Sequence, residues 1–267
     1  MTVPELAPSR EFFARYVDGF LTRDPAHDEN IEIKREHSLR VAGHAAMVAD
    51  SLDLPPDLDR ACRLAGLLHD LGRFEQYRDW RTFDDRSSVD HGRLGCAVLG
   101  RTPALAGEAP RVRRLVRAAV LLHNRLHLPA AAPAAALLVT RVVRDADKLD
   151  IFRVMTAHFA PDRALNPVVT LGLRDEPGAW SESIAAAIRS RRLAEYAQMR
   201  FVNDFKLLIL SWVYDLNFPA ARRALLESGL AQGLAAQLPP APEMAALAGQ
   251  ALADLGREHA RLASEAE

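Results

Sequence analysis

The chain has 267 residues, of which 49% are hydrophobic and 26% charged, a composition typical of a folded globular protein and not of a disordered one. It carries 34 basic and 35 acidic residues, so its formal net charge of -1 does not favour duplex nucleic acid as a partner. No apolar run approaches the length of a membrane span, and the first residues lack the apolar core of a secretory leader, which predicts a cytoplasmic protein.

Hydrophobic residues recur at helical spacing along most of the chain. We predict helices over residues 9–23, 35–52, 57–71, 91–99, 110–128, 134–157, 180–199, 203–215, 219–229 and 241–264. The pattern therefore predicts an all-α fold.

The chain contains two cysteines, Cys62 and Cys96, both in apolar helical segments. Neither has the CxxC or Cys/His neighbours that would predict a metal or redox site. A disulfide between them is an alternative, but two buried free thiols in a reducing compartment are the favoured interpretation.

The first histidine of interest stands near the start of the predicted helix over residues 35–52. His37 lies in the first turn of that helix, and His44 follows one heptad later on nearly the same face. At a rise of 1.5 Å per residue the two lie about 10 Å apart along the axis, too far to bind one ion together. The preceding polar segment, residues 22–34, is predicted to be a connection in which His27 is a solvated loop residue.

The most apolar predicted helix, over residues 57–71, carries adjacent His69 and Asp70 near its C-terminal end. We expect Gly72 to adopt the left-handed conformation that stops a helix. By itself, a His-Asp pair is more often a capped helix end than a metal site. A carboxylate at this end opposes the helix dipole, however, and a bound cation would relieve that unfavourable interaction. The placement therefore favours a metal site.

Residues 73–90 are polar and aromatic-bearing, which predicts a long irregular loop of the kind that often carries function. Its arginines could bind phosphate oxygens, and its aromatic rings could stack on a base. These side chains are Arg73, Arg78, Arg81, Arg86, Tyr77, Trp80 and Phe83. A solvated loop anchored by buried aromatic residues is the alternative, and we favour a functional role for Arg73 because it follows the His-Asp pair.

Two further histidines mark the next two predicted helices. His91 opens the first of them, and the preceding Asp90 either caps that helix or accepts a hydrogen bond from the His91 ring. His123 ends the apolar run of helix 110–128, and His127, one turn later, could approach a substrate or simply pack. Four arginines of that helix are interpreted as a solvated face: Arg111, Arg113, Arg114 and Arg117.

The predicted helix over residues 134–157 carries several charges in an otherwise apolar setting, including Asp147, Lys148 and Asp150. Asp147 and Asp150 are three residues apart and share a face. So many charges in such a setting indicate a polar site that faces them. Beyond residue 160, aromatic side chains fall at mixed spacings and predict core, and we find no group of chemically reactive residues there.

The ordered pattern of His, His-Asp, His, His and Asp, each in its own local sequence, resembles the HD-domain superfamily of metal-dependent phosphohydrolases. The matching phrases are His37-Ser38-Leu39-Arg40-Val41-Ala42, Leu67 to Arg73, Asp90-His91-Gly92-Arg93-Leu94-Gly95 and Asp145-Ala146-Asp147-Lys148-Leu149-Asp150, and the resemblance covers about residues 35–155. It implies an all-α HD-domain helical bundle. It also implies that a first divalent metal ion is bound by His37, His69, Asp70 and Asp147, and a second by His91 and His123, with the Asp70 carboxylate bridging the two.

The resemblance implies a metal-dependent phosphohydrolase that cleaves a nucleotide or a small phosphorylated metabolite with a metal-activated hydroxide. Imidazole and carboxylate ligands together suit Mn, Fe, Co, Ni or Zn better than Mg. We assign catalytic roles to Asp70 as the bridging ligand and to Arg73 and Lys148, which would neutralise charge on the phosphate. We expect Asp150 to lie behind the ligands and to support them.

Two other functions fit the same residues. A few members of the superfamily use all six ligands to bind two irons and oxidise a substrate with dioxygen, and a regulatory module could bind a nucleotide without turnover. Degradation of cyclic dinucleotides is disfavoured, because residues 123–129 lack the Gly-Tyr-Pro signature of that branch and Arg73 replaces its usual lysine.

The chain is predicted to have two parts. Residues 1–160 form the HD-domain metal-binding core with an N-terminal helix, and residues 161–267 form a helical extension packed on that core. The extension is expected to cover the active site or to build a homodimer contact.

Overall fold

The computed structural model describes residues 6–264. Residues 1–5 and 265–267 lie outside the described residues. The first range belongs to the segment on which the prediction about a leader rests, and the second is the end of the predicted extension. Between residues 6 and 264 the fold is all-α, with no strand, so the predicted fold class is confirmed. No helix in this range has the length and apolar character that a membrane span requires.

By their internal contacts the residues divide into two compact units, Met1–Asp147 and Lys148–Glu267. The first unit contains α1 (Ala7–Asp18), α2 (Pro25–Asp50), α3 (Pro56–Leu68), α4 (Leu71–Trp80), α5 (His91–Arg101), α6 (Pro110–Leu122) and the first part of α7 (Ala134–His158), with a short 3-10 helix at Pro103–Leu105. The second unit contains the rest of α7, α8 (Glu182–Arg189), α9 (Val202–Ser211), α10 (Pro219–Ser228), α11 (Leu230–Ala235) and α12 (Pro242–Ser264), with short 3-10 helices at Tyr196–Gln198 and Trp212–Asp215. The division after residue 160 stays a prediction.

The core of the first unit lies where α3 packs on α2 and α6, while α4 packs on α5. Fully buried aliphatic side chains fill it: Val41, Val48, Leu64, Leu67, Leu68, Val116 and Val120. Every residue of α3 from Ala61 to Leu68 is buried. A helix enclosed on all sides has a fixed C-terminal end, and the His-Asp pair follows directly on that end.

Helix α2 begins ten residues earlier than predicted, at Pro25. Asp24 caps it by accepting a hydrogen bond from the Ala26 amide at 3.1 Å. Proline suits the first turn because a backbone N–H at that position would have no acceptor within the helix. His27 therefore lies in a helix and is buried, with Nε2 2.9 Å from the Phe20 carbonyl oxygen. The prediction of a connection with a solvated His27 was wrong, because a helix start was interpreted as a break.

The first part of the predicted loop is helix α4, and only residues 81–90 are irregular. Phe74 and Tyr77, three residues apart, are buried and attach this polar helix to the core. Arg81, with φ at 56°, ends the helix in the left-handed conformation. The loop prediction was wrong here because α4 is stabilised by tertiary packing more than by a periodicity visible in its sequence.

Gly72 does not stop a helix, contrary to the prediction. Helix α3 ends at Leu68, and Gly72 lies in the first turn of α4 without a positive φ. A Cβ at this position would lie 2.6 Å from the Gly95 amide nitrogen and closer still to the His91 carbonyl oxygen. The position requires glycine because α4 and α5 approach each other this closely.

In the second unit, the helices predicted over residues 203–215, 219–229 and 241–264 are found, whereas the helix predicted over 180–199 is the shorter α8. The start of α9 is fixed by buried Asp204, which accepts hydrogen bonds from Ser181 Oγ at 2.7 Å and from the Arg200 amide at 2.8 Å. The described residues of this unit include no group of side chains able to hold a metal ion.

Both cysteines are free, as predicted. Cys62 is buried, and burial raises the pKa of its thiol to about 12. Cys96 is half-buried, so the expectation of full burial holds for Cys62 only.

Candidate metal centre

Six helices of the first unit bring the predicted ligands together. His37 lies within α2, His69 follows α3, Asp70 precedes α4, His91 begins α5, His123 follows α6 and Asp147 lies on α7. Four of the six therefore stand at helix ends. Among the described residues, these side chains form three overlapping groups that could hold a metal ion.

One of the three groups, His69 with His123 and Asp147, links the other two. Around the two oxygens of Asp70 the donors divide into two sets, and the first group is defined as His37, His69, Asp147 and one carboxylate oxygen of Asp70. Nε2 of His37 and Nε2 of His69 lie 3.3 Å apart. Asp70 Oδ2 lies 3.6 Å from each of these nitrogens. Asp147 Oδ1 lies 3.1 Å from His37 Nε2 and 3.7 Å from His69 Nε2. Two nitrogens and two oxygens thus converge, a donor set that suits transition metals.

The second group combines His91, His123 and the other oxygen of Asp70. The Nε2 atoms of the two histidines lie 3.0 Å apart. Asp70 Oδ1 lies 3.5 Å from His91 Nε2 and 3.7 Å from His123 Nε2. The Asp70 carboxylate therefore presents one oxygen to each group.

Hydrogen bonds of the histidine rings fix the positions of their protons. His69 Nδ1 lies 2.9 Å from the Gly66 carbonyl oxygen, and His123 Nδ1 lies 2.8 Å from the Val120 carbonyl oxygen. A carbonyl oxygen can only accept, so each Nδ1 carries a proton and each Nε2 of a neutral ring keeps its lone pair. Both acceptors belong to the last turn of a helix, where carbonyls lack an intrahelical partner.

His91 has an anionic acceptor, because its Nδ1 donates to Asp85 Oδ2 at 2.6 Å. Burial, together with the charge of Arg73, lowers the pKa of His91 to about 4, so this ring is neutral at neutral pH. When His123 is neutral as well, two Nε2 lone pairs face each other across 3.0 Å. Facing lone pairs repel, and a cation bound to both nitrogens removes that repulsion.

The two acidic side chains of the centre are ionised. Burial alone raises the pKa of Asp70, but the positive charges beside it, first that of Lys34 and also that of Arg73, outweigh burial and hold the pKa well below its usual range. Asp147 behaves in the same way, with its pKa lowered by His37 and His69 against the effect of burial. Asp147 Oδ1 is buried and accepts no hydrogen bond from the residues that the structure describes. A buried carboxylate oxygen 3.1 Å from His37 Nε2 and 3.7 Å from His69 Nε2 fits a divalent transition metal ion.

Two residues beside the predicted ligands were not themselves predicted from the sequence. Lys34 Nζ donates to Asp70 Oδ2 at 2.9 Å and lies 5.1 Å from the centre of the Phe83 ring. Lys34 precedes His37 by three residues, which places both on one helix face, but this segment was interpreted as a connection. Asp85 lies in the irregular segment, where no periodicity could have identified it.

Asp90 caps α5 and does not contact the His91 ring as its acceptor. Its Oδ1 accepts hydrogen bonds from the Arg93 amide at 3.0 Å and from Asn124 Nδ2 at 3.0 Å. Asp85 is the carboxylate that accepts from His91. Of the two roles considered for Asp90, capping is the one observed.

The dipole argument for a cation was wrong. Asp70 is the residue before α4, so it lies at the positive end of that helix and not at the negative end of a longer α3. The carboxylate is favourable there without any metal. The case for a cation therefore depends on the converging donors.

Arg73 lies beside Asp70 with its guanidinium held by the following loop. Nη1 donates to Gln76 Oε1 at 2.7 Å, to the Phe83 carbonyl oxygen at 2.6 Å and to Asp85 Oδ1 at 2.9 Å. Nε is buried, lies 3.6 Å from Asp70 Oδ1 and donates to none of the described residues. Arg73 thus directs its Nε edge toward the shared carboxylate.

Lys148 belongs to the second unit, where its Nζ pairs with the Asp215 carboxylate and donates to the Asp215 carbonyl oxygen at 2.7 Å. Its contact with phosphate stays a prediction. The same holds for the supporting role of Asp150, which is fully buried.

Other arginines of the predicted loop have acidic neighbours on the chain. Arg78 Nε donates to Asp79 at 2.6 Å, and Arg86 Nη2 donates to Asp84 at 2.8 Å. The four arginines of α6 are exposed, as expected for a solvated face. Arg73, by contrast, lies 3.6 Å from the predicted ligand Asp70.

An all-α fold with converging imidazole and carboxylate donors defines a class of metal-binding helical proteins. Residues 35–151, which include all six predicted ligands, match the family model of the HD domain. This segment is therefore an HD domain. A protein of Bacillus subtilis (strain 168) with the name "Putative phosphohydrolase YueE" is 30% identical over 116 residues, which cover 43% of this chain and 64% of that relative. The chain thus spans less than two thirds of the relative's length, and no solved structure matches it significantly.

Proposed function

We propose that this chain is a phosphohydrolase that cleaves a phosphoester of a nucleotide or of a small phosphorylated metabolite at a two-metal site. The observation that carries the proposal is the Asp70 carboxylate, whose oxygens lie 3.5 to 3.7 Å from the nitrogens of two different histidine pairs. A carboxylate shared in this way is suited to bridge two ions. The HD-domain match and the name of the bacterial relative support hydrolysis of phosphate esters.

Each ion would have its own donor group. The first would be held by His37, His69, Asp70 and Asp147, and the second by Asp70, His91 and His123. Imidazole nitrogens combined with carboxylate oxygens favour Mn, Fe, Co, Ni or Zn over Mg. When bound, such a pair supplies Lewis acidity, which lowers the pKa of water and polarises a phosphoryl oxygen.

Neighbouring side chains would supply charge. Lys34 contacts Asp70 on Oδ2, and Arg73 Nε is nearest to Oδ1. Their positive charges would oppose the negative charge that develops on the phosphoryl group and on the leaving oxygen. Lys148, which we assigned the same role from the sequence, would have to leave Asp215 before it could contribute.

The test is metal analysis of the reconstituted protein followed by a phosphatase and nucleotidase screen. We expect the wild type to bind a divalent transition metal and to release phosphate from at least one class of substrate. His69→Ala should lose metal and at least about 100-fold of the activity, more than the loss of an outer partner of a ligand costs. His127→Ala is the control, because His127 is exposed and belongs to none of the metal-capable groups of the described residues.

Several results would contradict the proposal. A protein that holds no metal after reconstitution, or a fully active His69→Ala variant, would exclude the assigned centre as the catalyst. Oxygen consumption by the iron-loaded protein without phosphate release would instead support a diiron oxygenase. Nucleotide binding without product formation, across several metals, would support a regulatory module.

A further inference from the structure

Asp85 is a carboxylate that accepts four hydrogen bonds and contacts a predicted ligand without being one. Its Oδ2 accepts from His91 Nδ1 at 2.6 Å and from Asn124 Nδ2 at 3.2 Å. Its Oδ1 accepts from Arg73 Nη1 at 2.9 Å and from Gln76 Nε2 at 2.9 Å. Four donors from α4, α5 and the segment after α6 therefore fix one side chain of the loop over residues 81–90.

The two donor groups differ in the number of carboxylates that they contain, and Asp85 lies beside the group that contains fewer. The first group contains two carboxylates, Asp70 and Asp147, whereas the second contains Asp70 alone. Asp85 stands directly behind His91 of the second group. Each group is thus associated with two carboxylates. In the second group one of them, Asp85, acts indirectly, through its hydrogen bond to the His91 ring.

The acceptors behind the His69 and His123 rings are weaker. His69 and His123 donate to the neutral carbonyl oxygens of Gly66 and Val120. A carboxylate acceptor raises the basicity of a metal-binding imidazole and fixes its orientation more strongly than a carbonyl does. His91 is therefore the ring of the second group that carries an anionic partner.

We propose that Asp85 is a positioning residue that enables the second group to bind a divalent ion, by holding His91 with its proton on Nδ1 and by supplying the charge that Asp147 supplies to the first group. This inference rests on the proposed two-metal function. The same carboxylate holds Arg73, whose Nε faces Asp70 Oδ1 at 3.6 Å. Asp85 thereby orients both a ligand and a charged neighbour of the second group.

The experiment counts ions and uses no substrate. Wild type and Asp85→Asn are reconstituted with Zn²⁺, and the bound ions per chain and their affinities are measured by elemental analysis and chelator competition. We expect two ions in the wild type and one in Asp85→Asn, with affinity for the second ion about 10- to 100-fold lower. Asp84→Asn is the matched control from the same loop, because Asp84 pairs with Arg86 and not with a ligand. It should keep both ions.

The outcomes separate this inference from the function on which it rests. Two ions in both wild type and Asp85→Asn, with affinities that agree within about twofold, would overturn the role of Asp85 alone. Fewer than two ions in the wild type would overturn the two-metal function and this inference with it.

A second measurement applies to the wild type and does not depend on how the variant folds. Nitrogen-correlated NMR of the histidine rings in the Zn²⁺-loaded protein reports which ring nitrogen carries the proton. We expect His91 to carry it on Nδ1, with a resonance further downfield than those of His69 and His123, because its acceptor is a carboxylate at 2.6 Å. A proton on His91 Nε2, or an Nδ1 proton no further downfield than the other two, would overturn the proposal.

Discussion

In the candidate metal centre, three histidine rings carry a proton on Nδ1, the nitrogen that faces away from the other donors: His69, His91 and His123. His69 and His123 donate from Nδ1 to carbonyl oxygens three residues earlier, so each ring directs its Nε2 atom toward the other donors. Those carbonyls, of Gly66 and Val120, lie in the last turns of α3 and α6 and have no helical partner. One local arrangement thus satisfies a helix end and orients a ligand, and it occurs once in each donor group.

The two ligand aspartates should differ in the number of ions whose binding they control. Asp147→Asn removes charge from the first group only, so we expect it to lose one ion and keep the other. Asp70→Asn should lose both, because its oxygens face different groups. Metal-to-protein ratios after reconstitution and dialysis measure this difference, with Asp79→Asn, an exposed acid paired with Arg78, as the control. Equal ion contents in the Asp70 and Asp147 variants would contradict a shared carboxylate.

Lys34 should separate metal binding from turnover. Its ammonium lies on Asp70 Oδ2, where it competes with a cation, so Lys34→Gln should bind metal as tightly as the wild type or more tightly. Turnover should fall about 100-fold because a positive charge beside the phosphoryl group is lost. Chelator competition and steady-state kinetics measure the two effects, and Arg40→Gln, from a pair with Glu36 on the same helix, is the control. Loss of metal together with activity would contradict this assignment.

Cys62 should be inert toward thiol reagents in the folded protein. Burial raises the pKa of its thiol to about 12, so the reactive thiolate is scarce at neutral pH and forms only as the pH rises toward that value. The unfolded thiol ionises at lower pH, and the free energy of unfolding should therefore fall in strongly alkaline solution. In Cys96→Ala, which leaves Cys62 as the sole cysteine, labelling with a disulfide reagent should be slow in the native protein and fast after denaturation. Equal rates in both states would contradict the burial of Cys62.

Most of the predicted ligands lie where one helix ends or the next begins. The chain leaves α3 at Leu68 and enters α4 at Leu71, so His69 and Asp70 occupy the turn between a negative and a positive helix end. The imidazole at the first end donates to a carbonyl, and the carboxylate at the second end lies beside positive charge. This turn explains why two adjacent residues can contribute an imidazole and a carboxylate to the same small site.

The approach of α4 to α5 should be sensitive to a single methyl group. Gly72→Ala would place a Cβ 2.6 Å from the Gly95 amide nitrogen, and we expect a loss of about 3 kcal/mol in the free energy of unfolding. His91 begins α5, so the second metal ion should be lost as well. Gly43→Ala is the control, because a Cβ there meets nothing within 4 Å, and alanine should stabilise α2 by about 1 kcal/mol. Urea denaturation compares the two, and equal stability would contradict the close approach.

Several elements could be predicted from the sequence, and the misses have physical causes. Amphipathic helices with long apolar faces, such as α6 and α12, were found from their periodicity. The start of α2 was missed because Asp24-Pro25 is compatible with a break and with a helix start. Helix α4 was missed because its sequence is mostly polar and few apolar side chains, Leu71, Phe74 and Tyr77, attach it to the core.

The periodicity of the sequence was sufficient for the fold class. The six expected ligands came from the resemblance to a family, and their binding of metal stays a prediction. The sequence was not sufficient for Lys34, which reaches Asp70 across 36 positions, or for Asp85 in an irregular segment. Contacts between residues that are distant along the chain leave no local pattern. The expected roles of residues 161–267, as a cover for the site or as a homodimer contact, stay predictions.

The measurement that tests the central claim most directly is anomalous X-ray diffraction from crystals of the metal-loaded protein, recorded at the absorption edge of the bound metal. The account predicts two anomalous peaks on either side of the Asp70 carboxylate. One peak should contact His37, His69 and Asp147, and the other should contact His91 and His123. A single peak, or peaks away from these side chains, would contradict it.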